Sequence, residues 1–217
     1  DAPDTEQLDE VLQKRLALSG YAPQWQSVLS NFVWHSLRVD LIAQAAKQRF
    51  CLADICAADR LVEMEFVLPF KAVHCGAIND LLVRYEPLAS MGGQLNFRRV
   101  AGMLKGFIDL TLRRDGRYFV VDYKSNFLGD SVADYSIPAM ETALVEHRYD
   151  FQFILYTLAL HRLLKVRLVN YDYDLHIGGV FYLFLRGMQP GSDSGVYYNK
   201  PARELIEGLD ALFEEGA

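Results

Sequence analysis

Residues 106–126 read GFIDLTLRRDGRYFVVDYKSN, two strand-like apolar runs around Asp115-Gly116. Asp-Gly at the centre of "RDGR" signals a two-residue hairpin turn, whose backbone twist suits its flanking strands. Such a loop fixes the register: Arg114 faces Arg117, Leu112 faces Phe119, Leu110 faces Val121 and Asp109 faces Asp122. Strand side chains alternate between faces, so both acids share one face with Cβ atoms about 4.5–5.5 Å apart, and Lys124 joins them two residues on. The opposite face receives Ile108, Leu110, Leu112, Phe119, Val121 and Tyr123, a coherent packing surface. Gly106 falls on that apolar side, where a missing side chain either lets a helix approach closely or is simply tolerated.

Two opposed carboxylates repel, and in a partly dry setting they either raise one pKa or need a cation between them. Hard carboxylate oxygens suit Mg²⁺ or Mn²⁺ better than the metals that favour thiolates. A metal held there would lower the pKa of a bound water and neutralise charge on a phosphoryl oxygen. Lys124 would orient or help activate that water and stabilise developing negative charge. Three readings of the residues stand open at this point: metal-assisted phosphodiester hydrolysis, another metal-dependent reaction, and a structural salt bridge from Lys124 to the two acids. A lone D-x-K is a weak signal; the converging register is what strengthens it. Ser125 and Asn126 read as the end of the strand.

At 217 residues with 51% apolar and 23% charged content, the chain suits one well-buried domain. Its three cysteines, Cys51, Cys56 and Cys75, form no CxxC pair, which argues against a disulfide framework or a four-thiolate zinc site and favours a reducing compartment. No apolar run reaches the roughly 18 residues a membrane span needs, and the start "DAPDTEQLDE" lacks the features of a signal peptide. A soluble domain cut from something longer is expected. The net charge of −6 is concentrated at the ends: residues 1–10 and 204–217 each hold five acids and no base. The intervening body is slightly cationic, and local field decides what a surface attracts.

Leucines from Leu8 to Leu18 predict a short helix. After Pro23 a longer helix is expected from about Gln24 to Phe50, with Trp25, Val28, Leu29, Phe32 and Val33 as framework residues. Leu61 to Phe70 reads as a strand, "GAINDLLVRY" as a short helix or connection, and "MGGQ" as a turn. A loop then leads into "HRYDFQFILYTLALHRLLK", about 19 residues of helical pattern. "GGVFYLFLR", Gly178 to Arg186, is hydrophobic enough to be a strand buried on both faces. "PARELIEGLDALFEEG" is a final helix with Pro201 near its first turn. Helices around a hairpin and a buried strand predict a mixed α/β layer arrangement.

"GFIDL", "VDYKSN" and "HRYDFQFILYTLALHR" resemble the nuclease domains of the RecB family, found in bacterial RecBCD-type exonucleases. The similarity runs from about Leu12 through Gly187. That family sits in the restriction-endonuclease-like PD-(D/E)xK superfamily, whose signature is an acid on one strand and D/E-x-K on the next. The resemblance implies a restriction-endonuclease-like α/β core, a central mixed sheet with a catalytic hairpin flanked by helices. It implies Asp109 and Asp122 as metal ligands with the backbone carbonyl of Tyr123, Mg²⁺ as cofactor, and Lys124 as the catalytic lysine. Gln152 and Tyr156 match the family's Q-x-x-x-Y helix motif; their four-residue spacing puts them on one helix face, within reach of DNA phosphate or the lysine. The family's histidine ligand lies in a "GTxLH"-like segment ahead of where this sequence begins, so residues 1–217 read as one nuclease domain with an incomplete metal shell. His35 and His74 lack partners at metal-ligand spacing.

Implied with the family are a cytoplasmic enzyme, a DNA substrate that is mainly single-stranded, RecC and RecD as partner subunits, and promotion of RecA loading. No G-x-x-x-x-G-K-[ST] phosphate loop is present, so ATP-driven unwinding is not expected of these residues. Two basic groupings, Arg98, Arg99, Lys105, Arg113, Arg114 and Arg117, and His147, Arg148, His161, Arg162, Lys165 and Arg167, are candidate phosphate contacts without base readout. The competing reading is a non-catalytic DNA- or protein-docking module. A third, a hydrolase of a small phosphorylated substrate, requires an enclosed pocket.

Overall fold

A computed structural model describes residues 5–43 and 48–216. In chain order its main elements are α1 (Thr5–Leu18), α2 (Gln26–Arg38), β1 (Leu41–Ala43), β2 (Gln48–Phe50), β3 (Arg60–His74), α3 (Cys75–Tyr85), α4 (Pro87–Met91), β4 (Arg99–Arg114) and β5 (Arg117–Lys124). There follow α5 (Ile137–Glu146), α6 (Tyr149–Arg167), α7 (Tyr173–His176), β6 (Ile177–Phe184), β7 (Val196–Asn199) and α8 (Arg203–Glu215). The larger sheet has the order β3-β4-β5-β6-β7. It is antiparallel except between β5 and β6, which run parallel because α5, α6 and α7 carry the chain back across one face.

The hairpin forms as its turn residues require. Asp115 and Gly116 take φ of 49° and 76°, the left-handed pair that a two-residue turn of this kind needs. Leu110, Leu112 and Arg114 pair with Val121, Phe119 and Arg117, the predicted register. All eight residues of β6 are buried, as its continuous hydrophobicity implied.

Two cores lie on opposite faces of the sheet. One joins Val120, Val180 and Tyr182 to Phe153, Leu158 and Leu160 of α6 and to Leu205 and Leu209 of α8. The other joins Leu110, Leu112, Phe119, Val121, Phe181 and Leu183 to Val39, Leu41, Phe50, Leu52 and Ile55 from the N-terminal region. At about 25 cal/mol per Å² of apolar surface removed from water, burial of this kind is the dominant stabilising term for both layers.

Three expectations are corrected. The helix predicted from Gln24 to Phe50 ends at Arg38; Val39 and Leu41, two residues apart and both with 0% exposure, enter the second core with a strand period. Residues 44–47 of that predicted helix lie outside the described residues. Trp25, Val28 and Phe32 are not core framework but exposed, because α2 packs on α1 and meets the second core only near its end, at Leu37. Ile108 does not share a core with Leu110 and Leu112: it packs with Met64 and Val120 on the α6 side. Alternation breaks at Asp109, opposite which Glu63 adopts φ of 51°, so the strands resume with their faces exchanged.

Gly106 is also explained differently from the expected helix approach. It pairs with Phe66 across the β3–β4 ladder, and a Cβ on it would lie 2.6 Å from that ring. The ring, not a helix, occupies the space.

Candidate active site

The β4–β5 ladder runs no further than Leu110–Val121. Beyond it, β4 continues beside β3 through Ile108–Met64, while β5 continues beside β6 through Asp122–Tyr182, Tyr123–Leu183 and Lys124–Phe184. The hairpin strands therefore diverge where the acids sit. Asp109 is not ladder-paired with Asp122 as the ideal register implies; its Oδ2 accepts a 3.0 Å hydrogen bond from the Tyr123 backbone N–H, replacing the lost strand partner.

Asp122 and Lys124 point to the α6 side and are buried, at 3% and 7% exposure. Lys124 Nζ lies 2.5 Å from Asp122 Oδ2, yet that oxygen has no directed hydrogen-bond donor. Burial pushes the Asp122 carboxyl up to about 6; Lys124 opposes the rise and the Asp109 charge adds to it. Burial, more than repulsion between the two acids, sets that shift, with the lysine as partial counterion.

Gln152 and Tyr156 are brought to the same place by α6. Lys124 Nζ donates to Gln152 Oε1 at 2.9 Å, and Gln152 Nε2 donates to the Tyr156 hydroxyl oxygen at 2.9 Å. Tyr156 packs edge-on against Phe66, and burial with the charges of Asp122 and Asp109 pushes its phenol up to about 12. The chain Asp122–Lys124–Gln152–Tyr156 is continuous.

Two participants escaped the sequence reading. The Tyr149 ring centre lies 3.6 Å from Lys124 Nζ and that of Tyr182 lies 4.7 Å away, so two aromatic faces enclose the ammonium. Tyr182 also donates toward Gln152 Oε1 at 3.0 Å and the Tyr149 carbonyl at 3.2 Å. A signal for Tyr149 existed, since it precedes Gln152 by three residues on the same helix. Tyr182 had none: its place opposite Asp122 depends on a parallel pairing across 60 residues of sequence.

Other candidates fall elsewhere. His35 is exposed, and His74 Nδ1 meets the Arg98 carbonyl at 2.9 Å. Several of the basic residues are engaged internally: Arg113 with Asp59, Lys105 with Glu65, Arg117 with the Asp174 carbonyl, and His161, Arg162 and Lys165 around Asp210. The first three are separate pairs, and only the last three gather around one carboxylate. The three cysteines are free thiols. No helix among the described residues is long and apolar enough to cross a membrane.

The donor set suits a hard divalent cation. Asp122 Oδ2 is a buried acceptor without a directed donor, and Asp109 supplies a second carboxylate. Among the described residues no group of three His, Cys, Asp or Glu side chains converges on a metal position.

Two acids and a lysine where a hairpin opens in a mixed, helix-flanked sheet, backed by a helix glutamine and tyrosine, define a centre of the restriction-endonuclease-like class. Comparison with known proteins makes the assignment specific: the profile of the PD-(D/E)XK nuclease superfamily matches residues 2–216, and the chain belongs to that superfamily. Members of the superfamily generally use divalent metal ions. The chain is similar to the RecBCD enzyme subunit RecB of Escherichia coli (strain K12), 42% identical over 204 residues that cover 93% of this chain and 17% of the relative. It is also similar to RecB of Haemophilus influenzae, 38% identical over 98% of this chain and 17% of the relative, and of Mycobacterium tuberculosis (strain H37Rv), 34% identical over 76% and 18%. The chain therefore spans about a sixth of the length of the curated relatives it matches.

Proposed function

We propose that residues 1–217 act as a single Mg²⁺-dependent DNase domain of a cytoplasmic recombination and repair helicase–nuclease, hydrolysing phosphodiester bonds chiefly in single-stranded DNA. The observation that carries this reading is the buried Asp122 carboxylate near Asp109, with Lys124 Nζ 2.5 Å from its Oδ2. Asp109, Asp122 and the Tyr123 carbonyl would hold the ion. With an ion held there, the site would gain charge neutralisation on the phosphoryl group and a water of lowered pKa.

The chain's own residues do the rest. Lys124, fixed by Gln152 and the rings of Tyr149 and Tyr182, presents its ammonium beside the acids, where it orients the attacking water and stabilises charge as it develops on the phosphate. Gln152 holds the lysine and is itself held by the Tyr156 hydroxyl. By analogy with the RecB relatives, the partners are DNA, RecC and RecD subunits, and RecA.

Mg²⁺-dependent cleavage of a single-stranded oligonucleotide that disappears in Asp122→Ala, with the unfolding transition retained, supports this reading; a fully active Asp122→Ala removes the residue from the mechanism. A second reading, a non-catalytic docking module for DNA or protein, draws on the absence of a third converging acid or imidazole among the described residues. Calorimetry showing no divalent-ion binding would favour it.

A further inference from the structure

Arg148 stands immediately before α6 with φ of 57°, a left-handed conformation uncommon for any residue but glycine. Its Nη1 donates to the carbonyls of Gly92 at 2.9 Å and Gly93 at 3.0 Å, more than fifty residues back in the chain. Its Nε lies 3.3 Å from Oδ1 of Asp150, a carboxylate with 0% exposure whose oxygens have no directed side-chain hydrogen bond. Burial raises the Asp150 pKa and the Arg148 charge opposes the rise.

Between these partners sits Tyr149, whose ring lies against Lys124 Nζ. The Arg148 carbonyl accepts the backbone N–H of Gln152 at 3.3 Å, so the same residue also closes the first turn that carries the lysine's amide partner. Both groups that orient Lys124 from α6 therefore hang on one backbone turn, and that turn is anchored by the guanidinium. Nη1 alone serves both carbonyls, while Nε faces the Asp150 carboxylate as an ion pair without a directed hydrogen bond, so one planar group holds the turn on two sides.

We propose that Arg148 and Asp150 form a latch that sets Tyr149 and Gln152 on Lys124, making them positioning residues for the proposed nuclease reaction, on which this inference rests. Neither contacts the two metal-site acids. Their effect is transmitted through the first turn of α6.

The test compares the 217-residue chain with Arg148→Gly, Arg148→Lys and Asp150→Asn. Glycine adopts the left-handed turn freely, so Arg148→Gly removes the fork without forcing the backbone. Steady-state hydrolysis of a single-stranded oligonucleotide in Mg²⁺ is read alongside the Lys124 side-chain ¹⁵N resonance, which the Tyr149 ring shifts in the wild type. The expected result is a kcat lower by about 10- to 100-fold in Arg148→Gly with KM little changed, because sub-ångström misplacement acts on the chemical step. The lysine resonance should move toward that of an ordinary exposed lysine, and added guanidinium should restore part of the rate. Unchanged kcat and an unchanged lysine resonance in Arg148→Gly overturn the latch. So does a loss of kcat that merely follows the unfolded fraction, with a folded Asp150→Asn fully active. If the wild type does not cleave, the docking-module reading gains, and the lysine resonance in the variants still decides the latch.

Discussion

The Tyr149 ring centre lies 3.6 Å from Lys124 Nζ, closer to the ammonium than any other ring, while Gln152 binds the same nitrogen from one turn further along α6. A desolvated cation–π contact of this kind contributes about 2 kcal/mol, which corresponds to a roughly 30-fold rate change if it is spent on positioning the lysine. Tyr149→Ala is expected to lose about that factor in kcat. Tyr149→Phe keeps the ring face and should stay within a few-fold of wild type. Equal losses in the two variants would show that the hydroxyl, not the ring, matters.

Asp109 offers a separation of charge from geometry. Its Oδ2 accepts the Tyr123 N–H, and an asparagine Oδ1 can accept the same bond. Asp109→Asn should therefore keep the hairpin and the unfolding midpoint while weakening divalent-ion binding, because a neutral amide is a poor ligand for a hard cation. Calorimetric titration with Mn²⁺ or Mg²⁺ checks it. An affinity equal to wild type would mean that Asp109 serves only to hold the opened strand.

The parts of this arrangement legible in sequence are those set by local chemistry. Asp115-Gly116 fixed the turn, the turn fixed the register to Leu110–Val121, and the four-residue spacing of Gln152 and Tyr156 placed both on one helix face. What escaped depends on elements distant in sequence. The exchange of faces at Asp109 involves Glu63 on β3, and the cage around Lys124 involves Tyr182 on β6. The overlong second helix failed for another reason: it extends the helical spacing of residues 25–33 past Arg38, although Val39 and Leu41, two residues apart and both buried, already keep a strand period. The metal-binding assignment came from the resemblance as much as from charge, since an acid pair beside a lysine also describes a plain ion pair.

Gly106 couples the hairpin to this site through packing. A Cβ there would stand 2.6 Å and 2.8 Å from two Phe66 ring atoms, and Phe66 packs edge-on against Tyr156 with ring centres 5.6 Å apart. Gly106→Ala should destabilise the fold by about 1–3 kcal/mol, the usual range for overpacking, and lower kcat by pressing on Tyr156. Phe66→Leu combined with Gly106→Ala should recover stability beyond the sum of the single changes. Denaturant titration of the four proteins in the cycle measures the coupling; strict additivity would mean that the ring moves aside at no cost.

Glu86 gives the pH dependence a sign. It is 5% exposed, accepts hydrogen bonds from Asn199 Nδ2 at 3.3 Å, and burial lifts its carboxyl from 4.5 to about 6, with the Asp150 charge adding to the rise. Because the folded value lies above the unfolded one, the folded state binds the proton more tightly. Its contribution to stability is complete below pH 4.5 and is lost as pH rises through about 6, a difference of about 2 kcal/mol. Glu86→Gln keeps an acceptor for Asn199 and removes the ionisation. It should therefore raise the unfolding midpoint at pH 7.5 relative to wild type, with the advantage shrinking toward nothing near pH 4.5. Thermal unfolding across that range decides the matter: a destabilised Glu86→Gln at pH 7.5 would mean that the ionised carboxylate is a net favourable partner for the groups around it, Asn199 foremost.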